Sequence, residues 1–340
     1  MRVNFGTRKQ KRLIILVSLF ALILIAAGLF LLHRWEMRDE ARMAETLAEQ
    51  NLDGTPENQV RYQGKWYREN PEIEKILLIG VDKFDTQLSA GEEDFRNDQQ
   101  SDFLALMLLN QEDGSYRVLF LNRDTMADVP LLDVNGQEFD TRRMQLALAH
   151  TYGNGRENSC RNTAQAVSNL LYGVEIDHYV SVTMDAVAVL NDLVGGVTVH
   201  VEDDFSNTDP TIVQGTDVTL LGEHALNFVR ARSSMAEPTN LARMERQRAY
   251  LKALRQKTME CIDTDEGFVF DALMELSDYM VSDCTINTLA TYFDAVSRNG
   301  EPEVLTLDGE SVAGEQYMEY YVDEDALQAN IIEWFYTPVE

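Results

Sequence analysis

The chain has 340 residues, of which 29 are basic and 57 acidic, and its formal net charge at pH 7 is −28. This length allows one large domain or two small ones. Nucleic-acid binding needs a basic surface, so the acidic composition argues against a nucleic-acid partner.

The N-terminus has the pattern of a membrane anchor. Residues 1–12 hold five basic side chains and no acidic one, and residues 13–32 read LIILVSLFALILIAAGLFLL. Twenty helical residues span roughly 30 Å, the thickness of a bilayer core, and the basic flank predicts a cytoplasmic N-terminus with the remaining chain extracellular. A cleaved signal peptide is the alternative, but its apolar region is usually only about 7–15 residues long. No small-residue cleavage site follows residue 32.

The segment after the anchor predicts a stalk and then one domain. Residues 33–52 are rich in charged helix formers, and DGTP at 53–56 ends that pattern. We therefore expect four parts, which run from the cytoplasm through the cell membrane to the outside of the cell. They are a cytoplasmic tail over 1–12, a transmembrane helix over 13–32, a juxtamembrane stalk over 33–70 and an extracellular domain over 71–340.

The body of the chain alternates short apolar runs with helical patterns. The predicted strands are KILLIGVD from Lys75, FLALMLLN from Phe103, YRVLFLNRD from Tyr116, HYVSVTM from His178, VTVHV from Val197 and a short run at 304–307. Helical patterns cover residues 161–171, 184–193, 221–232, 241–257, 266–280, 285–298 and 323–335. Such alternation predicts an α/β layered domain.

Several charged side chains are expected at one edge of the sheet. The runs from Phe103 and Tyr116 are joined by a short, turn-rich loop, which predicts an antiparallel hairpin. Asp102 precedes this hairpin and Arg123-Asp124 follows it, so their side chains should emerge together. Asp82 joins them if its strand runs parallel to the one from Tyr116. A lone aspartate at a strand end is usually only solvated, but several together favour a binding site.

A second cluster of charge lies in the stretch FVRARSSMAEPTNLARMERQ. It contains Arg230, Arg232, Arg243 and Arg246. On a helix that begins near Leu241, Arg243, Arg246 and Gln247 share one face, which continues through Tyr250 and Leu254 toward the core. The opposite face is expected in solvent. It carries Glu245, Arg248, Lys252 and Arg255.

Arginines turned toward a core need an anionic partner, because an unpaired buried guanidinium loses its hydration. The partner is either an aspartate of the chain, Asp82, Asp102 or Asp124, or a phosphate, whose oxygens suit the guanidinium fork. With phosphate, the aspartates would hold a hard cation such as Mg²⁺, and the set suits phosphoryl transfer. The sequence contains no Walker loop, nucleophile elbow, H-E-x-x-H motif or Rossmann fingerprint.

Seven motifs in order carry a family resemblance. They are ILLIGVD at Ile76, SDFLALML at Ser101, NRDT at Asn122, NLLYGVEIDHYVSVTMD at Asn169, LVGGVTVHVEDD at Leu193, LLGEHALNFVRAR at Leu220 and ARMERQ at Ala242. Through them, residues 75–254 resemble the LytR-CpsA-Psr family of cell-envelope proteins. The resemblance implies an α/β/α sandwich with a central mixed sheet, an apolar groove for a polyprenyl chain, and an arginine-rich mouth that binds its pyrophosphate with Mg²⁺.

The resemblance also implies roles for individual residues. It assigns the metal to Asp82 and Asp102. It assigns the pyrophosphate to Arg123, Arg230, Arg232, Arg243, Arg246 and Gln247. The catalytic residues would be Arg123, Asp124, Arg230 and Arg232, with Asp124 as a base or as a group that orients Arg123.

The chain departs from the family pattern at three places. Gln100 stands where an arginine usually precedes the aspartate matched by Asp102, and Asn240 stands where an aspartate usually precedes Arg243. The usual Lys-x-Asn segment is replaced by RRMQLALAH, in which Arg143 and Gln145 are the candidate substitutes. One positive and one negative group are lost together, so the site is either rearranged or weakened.

The predicted function is a membrane-anchored, Mg²⁺-dependent phosphotransferase of cell-wall assembly. Its partners would be a polyprenyl-pyrophosphate-linked glycan such as a teichoic acid precursor, the peptidoglycan acceptor and the cell membrane. The alternatives are a non-catalytic lipid-pyrophosphate-binding regulator of the envelope and a pyrophosphatase.

The three cysteines, Cys160, Cys261 and Cys284, predict neither a disulfide scaffold nor a zinc site. They are few and scattered, and no C-x-x-C pair is present. A single bridge between Cys261 and Cys284 is possible, with unpaired thiols as the alternative.

Overall fold

The computed structural model describes residues 59–84, 89–90, 95–231, 240–265, 267–314 and 317–339. The predicted membrane helix at 13–32 lies outside these residues. Within them, no helix combines the length and apolar character needed to cross a bilayer. The chain divides into two units, Met1–Arg68 and Glu69–Glu340. The strands Gln59–Tyr62 and Lys65–Glu69 form an antiparallel hairpin in which Gln59 pairs with Arg68.

Strands and helices alternate along much of the chain. The strands are β1 (Gln59–Tyr62), β2 (Lys65–Glu69), β3 (Ile73–Val81), β4 (Ser89–Ala90), β5 (Phe95–Arg96), β6 (Ser101–Asn110), β7 (Tyr116–Phe120), β8 (Met126–Leu132), β9 (Glu138–Gln145), β10 (His178–Thr183), β11 (Val197–His200), β12 (Asp217–Leu220), β13 (Met280–Ser282), β14 (Glu303–Thr306), β15 (Gly309–Ala313), β16 (Met318–Val322) and β17 (Tyr336–Pro338). The α-helices are α1 (Glu157–Leu170), α2 (Met184–Leu193), α3 (Glu223–Arg230), α4 (Asn240–Thr264), α5 (Phe268–Leu276), α6 (Ile286–Arg298) and α7 (Glu324–Phe335).

A six-stranded mixed sheet forms the centre of the larger unit. Its spatial order is β13-β10-β3-β6-β7-β14. β10 runs parallel to β3 and β14 runs parallel to β7, whereas the other neighbours are antiparallel. β3 and β7 therefore run in the same direction on either side of β6. The predicted α/β class, the central mixed sheet and the β6–β7 hairpin are confirmed.

Alternating side chains of the sheet enter separate cores on its two faces. Leu77 and Ile79 of β3 join a core that includes residues of α1 and α7. Ile76 of the same strand packs instead with residues of α6. Because successive side chains of a strand point to opposite faces, helices must cover both faces. This is the α/β/α layering that the family resemblance implies. A third core joins β11, α3 and α4.

Close approach of β3 and β6 depends on a glycine near the functional edge. A Cβ atom added at Gly80 would lie only 2.8 Å from the Cβ of Phe103. The pairing register shifts between Gly80 and Val81, which is a bulge at the end of β3. A bulge redirects the residues that follow it, so it determines how Asp82 leaves the sheet.

Some expected boundaries were wrong. The predicted helix at 266–280 ends with α5 at Leu276, because residues 280–282 form the edge strand β13 against β10. Helix α4 extends beyond the expected 241–257 to Thr264.

Two expectations about side chains have outcomes as well. Arg255 of α4 was expected in solvent but is half-buried, and its Nη2 donates to the carbonyl oxygens of Asn299 at 2.6 Å and Gly300 at 2.9 Å. The three cysteines are all free, so Cys261 and Cys284 do not pair.

Candidate active site

The ends of three strands enclose a cavity at one edge of the central sheet. Asp82 follows β3, Asp102 is the second residue of β6, and Arg123 follows β7. The cavity has a volume of about 540 Å³, and we call it the polar cavity. It is lined by Asp82, Lys83, Asp98, Gln99, Gln100, Asp102, Arg123, Met184, Val229, Arg230 and Gln247. The convergence expected from the hairpin and the parallel strand is present.

Arg123 is held in a fixed orientation beside this cavity. Its Nη1 donates to Oδ1 of Asp102 and its Nη2 donates to Oε1 of Gln100. Its Nε is buried without a hydrogen-bond partner in the described part of the chain, and it lies 3.9 Å from Oδ1 of Asp124. A buried donor without a partner is unfavourable, so this guanidinium retains capacity for another acceptor.

Arg230 reaches the cavity from the last turn of α3. Its Nη2 donates to Oδ1 of Asp82 at 2.8 Å, and both side chains are 45% exposed. The C-terminal end of a helix carries partial negative charge, which favours a cation there. Asp102 is thus paired with Arg123, and Asp82 is paired with Arg230. In each pair, a phosphate oxygen could replace the carboxylate as the acceptor of the arginine.

Arg246, predicted to bind the pyrophosphate, is not among the residues that line the polar cavity. It is buried, its Nη1 donates to Oδ2 of Asp203 at 2.8 Å, and its Nη2 donates to the carbonyl oxygen of Ala231. Nε of Arg246 donates to the carbonyl oxygen of Phe228 at 3.2 Å. Each of the three guanidinium nitrogens therefore has an acceptor. Arg246 therefore fixes the C-terminal end of α3 and so positions Arg230.

The expected amphipathic face of α4 leads from the polar cavity to apolar space. Gln247, Tyr250 and Leu254 are buried on this face, as predicted. A first apolar cavity of about 170 Å³ shares Met184, Val229 and Gln247 with the polar cavity.

A second, larger apolar cavity adjoins the first. Its volume is about 910 Å³, and it shares Phe103, Leu190, Leu251 and Leu254 with the first apolar cavity. A charged group in the polar cavity can thus be attached to a long apolar chain that continues between the sheet and α4. Such a site suits an amphiphile with an anionic head.

Comparison with known proteins identifies the family. The sequence profile of the LytR_cpsA_psr family matches residues 38–333. The chain belongs to the LytR-CpsA-Psr family.

Two curated relatives are named polyisoprenyl-teichoic acid–peptidoglycan teichoic acid transferase TagU. The one from Oceanobacillus iheyensis is 26% identical over 310 residues, which cover 91% of this chain and 88% of that protein. The one from Halalkalibacterium halodurans is 30% identical over 202 residues, which cover 59% of this chain and 58% of that protein. In fold, the chain is similar to the crystal structure of TagV from B. subtilis, with a TM-score of 0.57 at 20% identity over 78% of this chain and 97% of that chain.

The remaining LytR-CpsA-Psr motif residues whose side chains the structure describes are not among those that line the polar cavity. Arg232 lies outside the described residues, and for Arg243 and Asn240 the structure describes only the backbone, in the first turn of α4. Asp124 is not among the residues that line the polar cavity, and its Oδ1 lies 3.5 Å from Nε2 of Gln145. Arg143, the other expected substitute, pairs with Asp128 across the β8–β9 hairpin, and both side chains are exposed.

Sequence reasoning missed the loop that forms one wall of the polar cavity. Asp98 and Gln99 lie in it, and Asn97 anchors it by donating from Nδ2 to the carbonyl oxygens of His150 at 2.8 Å and Thr151 at 3.1 Å. The loop has no periodicity, so hydropathy gave no signal. The one feature that could have pointed to this loop is that it directly precedes Gln100 and Asp102 in the sequence.

Proposed function

We propose that this chain transfers a glycopolymer, linked through phosphate, from a polyprenyl-pyrophosphate carrier to a hydroxyl group of peptidoglycan. The observation that carries the proposal is that the polar cavity shares lining residues with the first apolar cavity, which in turn shares lining residues with the second. The first would take the pyrophosphate and the others the prenyl chain. The names of the TagU relatives support teichoic acid as the class of glycopolymer.

The arginines beside the polar cavity would bind the pyrophosphate. Arg123 has an unsatisfied buried Nε, and Arg230 is half-exposed and paired with a single carboxylate. Both can contact phosphate oxygens without rearrangement of the sheet. Fixed guanidinium groups stabilise the charge that develops on the departing lipid phosphate, and they need no reorganisation during the reaction.

The aspartates fit a magnesium ion. Asp82 and Asp102 both line the polar cavity, and Mg²⁺ prefers one or two carboxylates combined with phosphate oxygens. When bound, the ion would neutralise charge on the pyrophosphate. The carboxylates would then exchange their arginine partners for the metal, which leaves Arg123 and Arg230 to the phosphates.

The transfer replaces one phosphorus–oxygen bond with another. The acceptor hydroxyl forms a bond to the phosphorus that carries the glycan, and the bond from this phosphorus to the lipid phosphate breaks. The hydroxyl proton passes to a carboxylate of the polar cavity. Asp124 lies outside the lining, 3.9 Å from Nε of Arg123, so we assign it the orienting role and not that of the base.

The membrane anchor is part of the proposal. Residues 13–32 would hold the enzyme beside its lipid-linked donor, with residues 1–12 in the cytoplasm, 33–70 as the stalk and the extracellular domain from 71 next to the wall. A lipid carrier with a long prenyl chain remains in the bilayer, so anchoring enzyme and donor to one surface raises their local concentration.

The departure at residue 100 supports one alternative. Gln100 accepts a hydrogen bond from Arg123, where family members carry a second arginine, so the site has lost a cation. A non-catalytic lipid-pyrophosphate binder would tolerate this loss. The double variant Gln100→Arg with Asn240→Asp separates the two functions, because an idle site would gain transfer whereas a rearranged active site would gain little.

The decisive experiment is a transfer assay with the full chain in detergent. The protein is incubated with a synthetic polyprenyl-pyrophosphate glycan, Mg²⁺ and peptidoglycan oligomers, and products are identified by mass spectrometry. We expect a phosphodiester-linked glycan on peptidoglycan. Release of phosphate without a linked product would indicate a pyrophosphatase, and binding without either product would indicate a regulator.

The metal role has its own test in this assay. Removal of divalent ions with a chelator should abolish transfer, and Mg²⁺ alone should restore it. Asp82→Asn and Asp102→Asn should each raise the Mg²⁺ concentration needed for half-maximal rate. Transfer that is unchanged by the chelator would remove the metal from the mechanism.

A further inference from the structure

A cluster of histidine, cysteine and carboxylate side chains lies at the end of the central sheet opposite to the polar cavity. His178 is the first residue of β10, and Asp283 and Cys284 follow β13, which pairs with β10. β10 runs parallel to β3, and His178 pairs with Ile76 near the start of β3, whereas Asp82 follows its end. The cluster is therefore separate from the proposed pyrophosphate site.

The donor atoms of this cluster are close enough to share one ion. One atom each from His178, Asp283 and Cys284 lies within 4.8 Å of the others. Nδ1 of His178 is 3.4 Å from Oδ1 of Asp283, and Sγ of Cys284 is 3.8 Å from the same oxygen. Zinc bonds of about 2.0–2.3 Å in a tetrahedron place neighbouring ligand atoms roughly 3.3–3.8 Å apart. Both distances match such a site.

The histidine has an unsatisfied nitrogen that faces this cluster. Nδ1 of His178 is buried and forms no hydrogen bond within the described residues. A buried polar atom without a hydrogen-bond partner is unfavourable, and a bound ion is one way to satisfy it. A cation between this nitrogen, the carboxylate and the sulfur would satisfy it.

A neighbouring carboxylate lies beside the other nitrogen of the imidazole. Nε2 of His178 lies 3.6 Å from Oε1 of Glu74, and this oxygen also accepts a hydrogen bond of 2.5 Å from the hydroxyl of Tyr292. A carboxylate at Nε2 favours the tautomer with its proton there, which leaves the lone pair on Nδ1 for a metal. Asp283 is held as well, because its Oδ1 accepts from the backbone N–H of Tyr179 at 3.0 Å.

We propose that His178, Asp283 and Cys284 bind a zinc ion, with Glu74 as the positioning residue. A ligand set of nitrogen, sulfur and oxygen suits Zn²⁺, whereas Mg²⁺ takes oxygen ligands. Burial raises the pKa of the Cys284 thiol to about 11, so the metal displaces this proton to solvent when it binds as the thiolate ligand. Asp283 is exposed, which leaves a fourth position open to water.

The ion would link two parts of the chain that are distant in sequence. Its ligands come from β10 and from the segment between β13 and α6, so binding would hold the edge strand on the sheet. The cysteines gave no zinc signal in the sequence because the three ligands are not closely spaced in a zinc motif.

The test is metal titration of the full chain in detergent after removal of metals with a chelator. One equivalent of Co²⁺ should produce a thiolate-to-cobalt charge-transfer band in the near ultraviolet, and Zn²⁺ should displace it. The residues that line the polar cavity include no cysteine, so a metal bound there has no thiolate ligand and cannot produce this band. Zinc should also raise the thermal midpoint in a concentration-dependent way, because it binds the folded state.

Three variants locate the site. Cys284→Ser should abolish the band, and Cys261→Ser, which changes a cysteine outside the cluster, should keep it. Glu74→Gln should keep the band with about 10–100-fold weaker affinity, as expected for a group that orients a ligand. A wild-type protein without the band, or a band that is lost in Cys261→Ser, would overturn the proposal, whether or not Cys284→Ser folds.

Discussion

Arg123 and Arg230 are held to different degrees before any ligand binds. The Arg123 side chain is 12% exposed and contacts both Asp102 and Gln100, whereas Arg230 is 45% exposed with Asp82 as its ion-pair partner. An exposed ion pair contributes only about 0–1 kcal/mol, so Arg230 can exchange its carboxylate for phosphate at little cost. Arg123 is held by two acceptors before any ligand binds.

This difference predicts separate consequences for two alanine variants. Arg230→Ala should lower kcat/KM for transfer by about 10²–10³ with little change in stability, because only a contact to the developing charge is lost. Arg123→Ala should lose as much activity and also stability, since Asp102 is left partly buried without its arginine. Rates come from product formation and stability from urea unfolding.

Arg142→Ala is the matched control for both variants. This arginine is 63% exposed on β9 and pairs with Asp140 on the same strand. Its replacement by alanine should change neither kcat/KM for transfer nor the free energy of unfolding. Arg230→Ala with wild-type kcat/KM would contradict the assignment of Arg230.

Arg246 has a structural role, and its loss should appear as instability. Removing a buried, paired guanidinium leaves Asp203 and two carbonyl oxygens without a donor, so Arg246→Ala should lower the free energy of unfolding by about 3–5 kcal/mol. Lys257→Ala is the control on the same helix, because this lysine forms an exposed pair with Glu260, and such surface pairs add little to stability. Equal unfolding free energies for the two variants would show that Arg246 is not a structural anchor.

The residues of the site were predictable where a strand direction fixed them. Asp82, Asp102 and Arg123 follow from the β6–β7 hairpin and the parallel directions of β3 and β7. The buried face of α4 predicted the burial of Arg246, but not its partner Asp203, because the partner is set by tertiary packing. The loop with Asn97 and Gln99 depends on contacts with distant carbonyl groups, which no local pattern encodes.

At the level of elements, the long apolar runs of the central sheet gave reliable predictions, whereas the strands of two hairpins outside that sheet did not. β3 and β6 are buried on both faces and read as continuous apolar segments, and α2 has the predicted bounds of Met184 to Leu193. The β8–β9 and β15–β16 hairpins were missed. β9 and β15 are largely exposed, so neither strand shows a hydrophobic alternation.

The two apolar cavities beside α4 predict that KM for the donor depends on the length of its prenyl chain. Leu251 lines both apolar cavities and is 39% exposed, so a change there should not unfold the protein. Leu251→Glu should raise KM at least tenfold for a long-chain donor, because a carboxylate would be buried beside hydrocarbon. A donor with a very short chain should be affected little.

Leu251→Met is the conservative control for this variant and should behave like the wild type. The measurement is KM for both donors with each protein. An equal rise in KM for long and short donors would show that the prenyl chain does not follow α4.

At the level of the whole molecule, a buried histidine links stability to pH. His150 is fully buried, its Nδ1 lies 3.0 Å from the carbonyl oxygen of Gln99, and burial lowers its pKa to about 4. In the unfolded chain this histidine has a pKa of about 6.5. Between about pH 6.5 and 4 the unfolded chain therefore binds a proton at His150 that the folded chain does not bind. Stability should fall as pH drops from about 6.5 toward 4, by up to about 3 kcal/mol, and this contribution should level off below pH 4.

His150→Asn tests this linkage, because its amide can donate to the same carbonyl oxygen but does not titrate. Urea unfolding at pH 7, 5 and 4 should show a smaller loss of stability in the variant than in the wild type. The difference isolates the histidine from the many carboxylates that also titrate in acid. An identical pH dependence in both proteins would mean that His150 is not the group responsible.

The central claim is that the polar cavity holds a pyrophosphate whose prenyl chain extends into the two apolar cavities. The most direct measurement is an experimental structure of the full chain with a polyprenyl-pyrophosphate glycan and Mg²⁺. We expect the diphosphate between Arg123 and Arg230 and the prenyl chain passing Gln247 along α4. A headgroup bound away from these arginines, or a prenyl chain lying outside both apolar cavities, would contradict the proposed function.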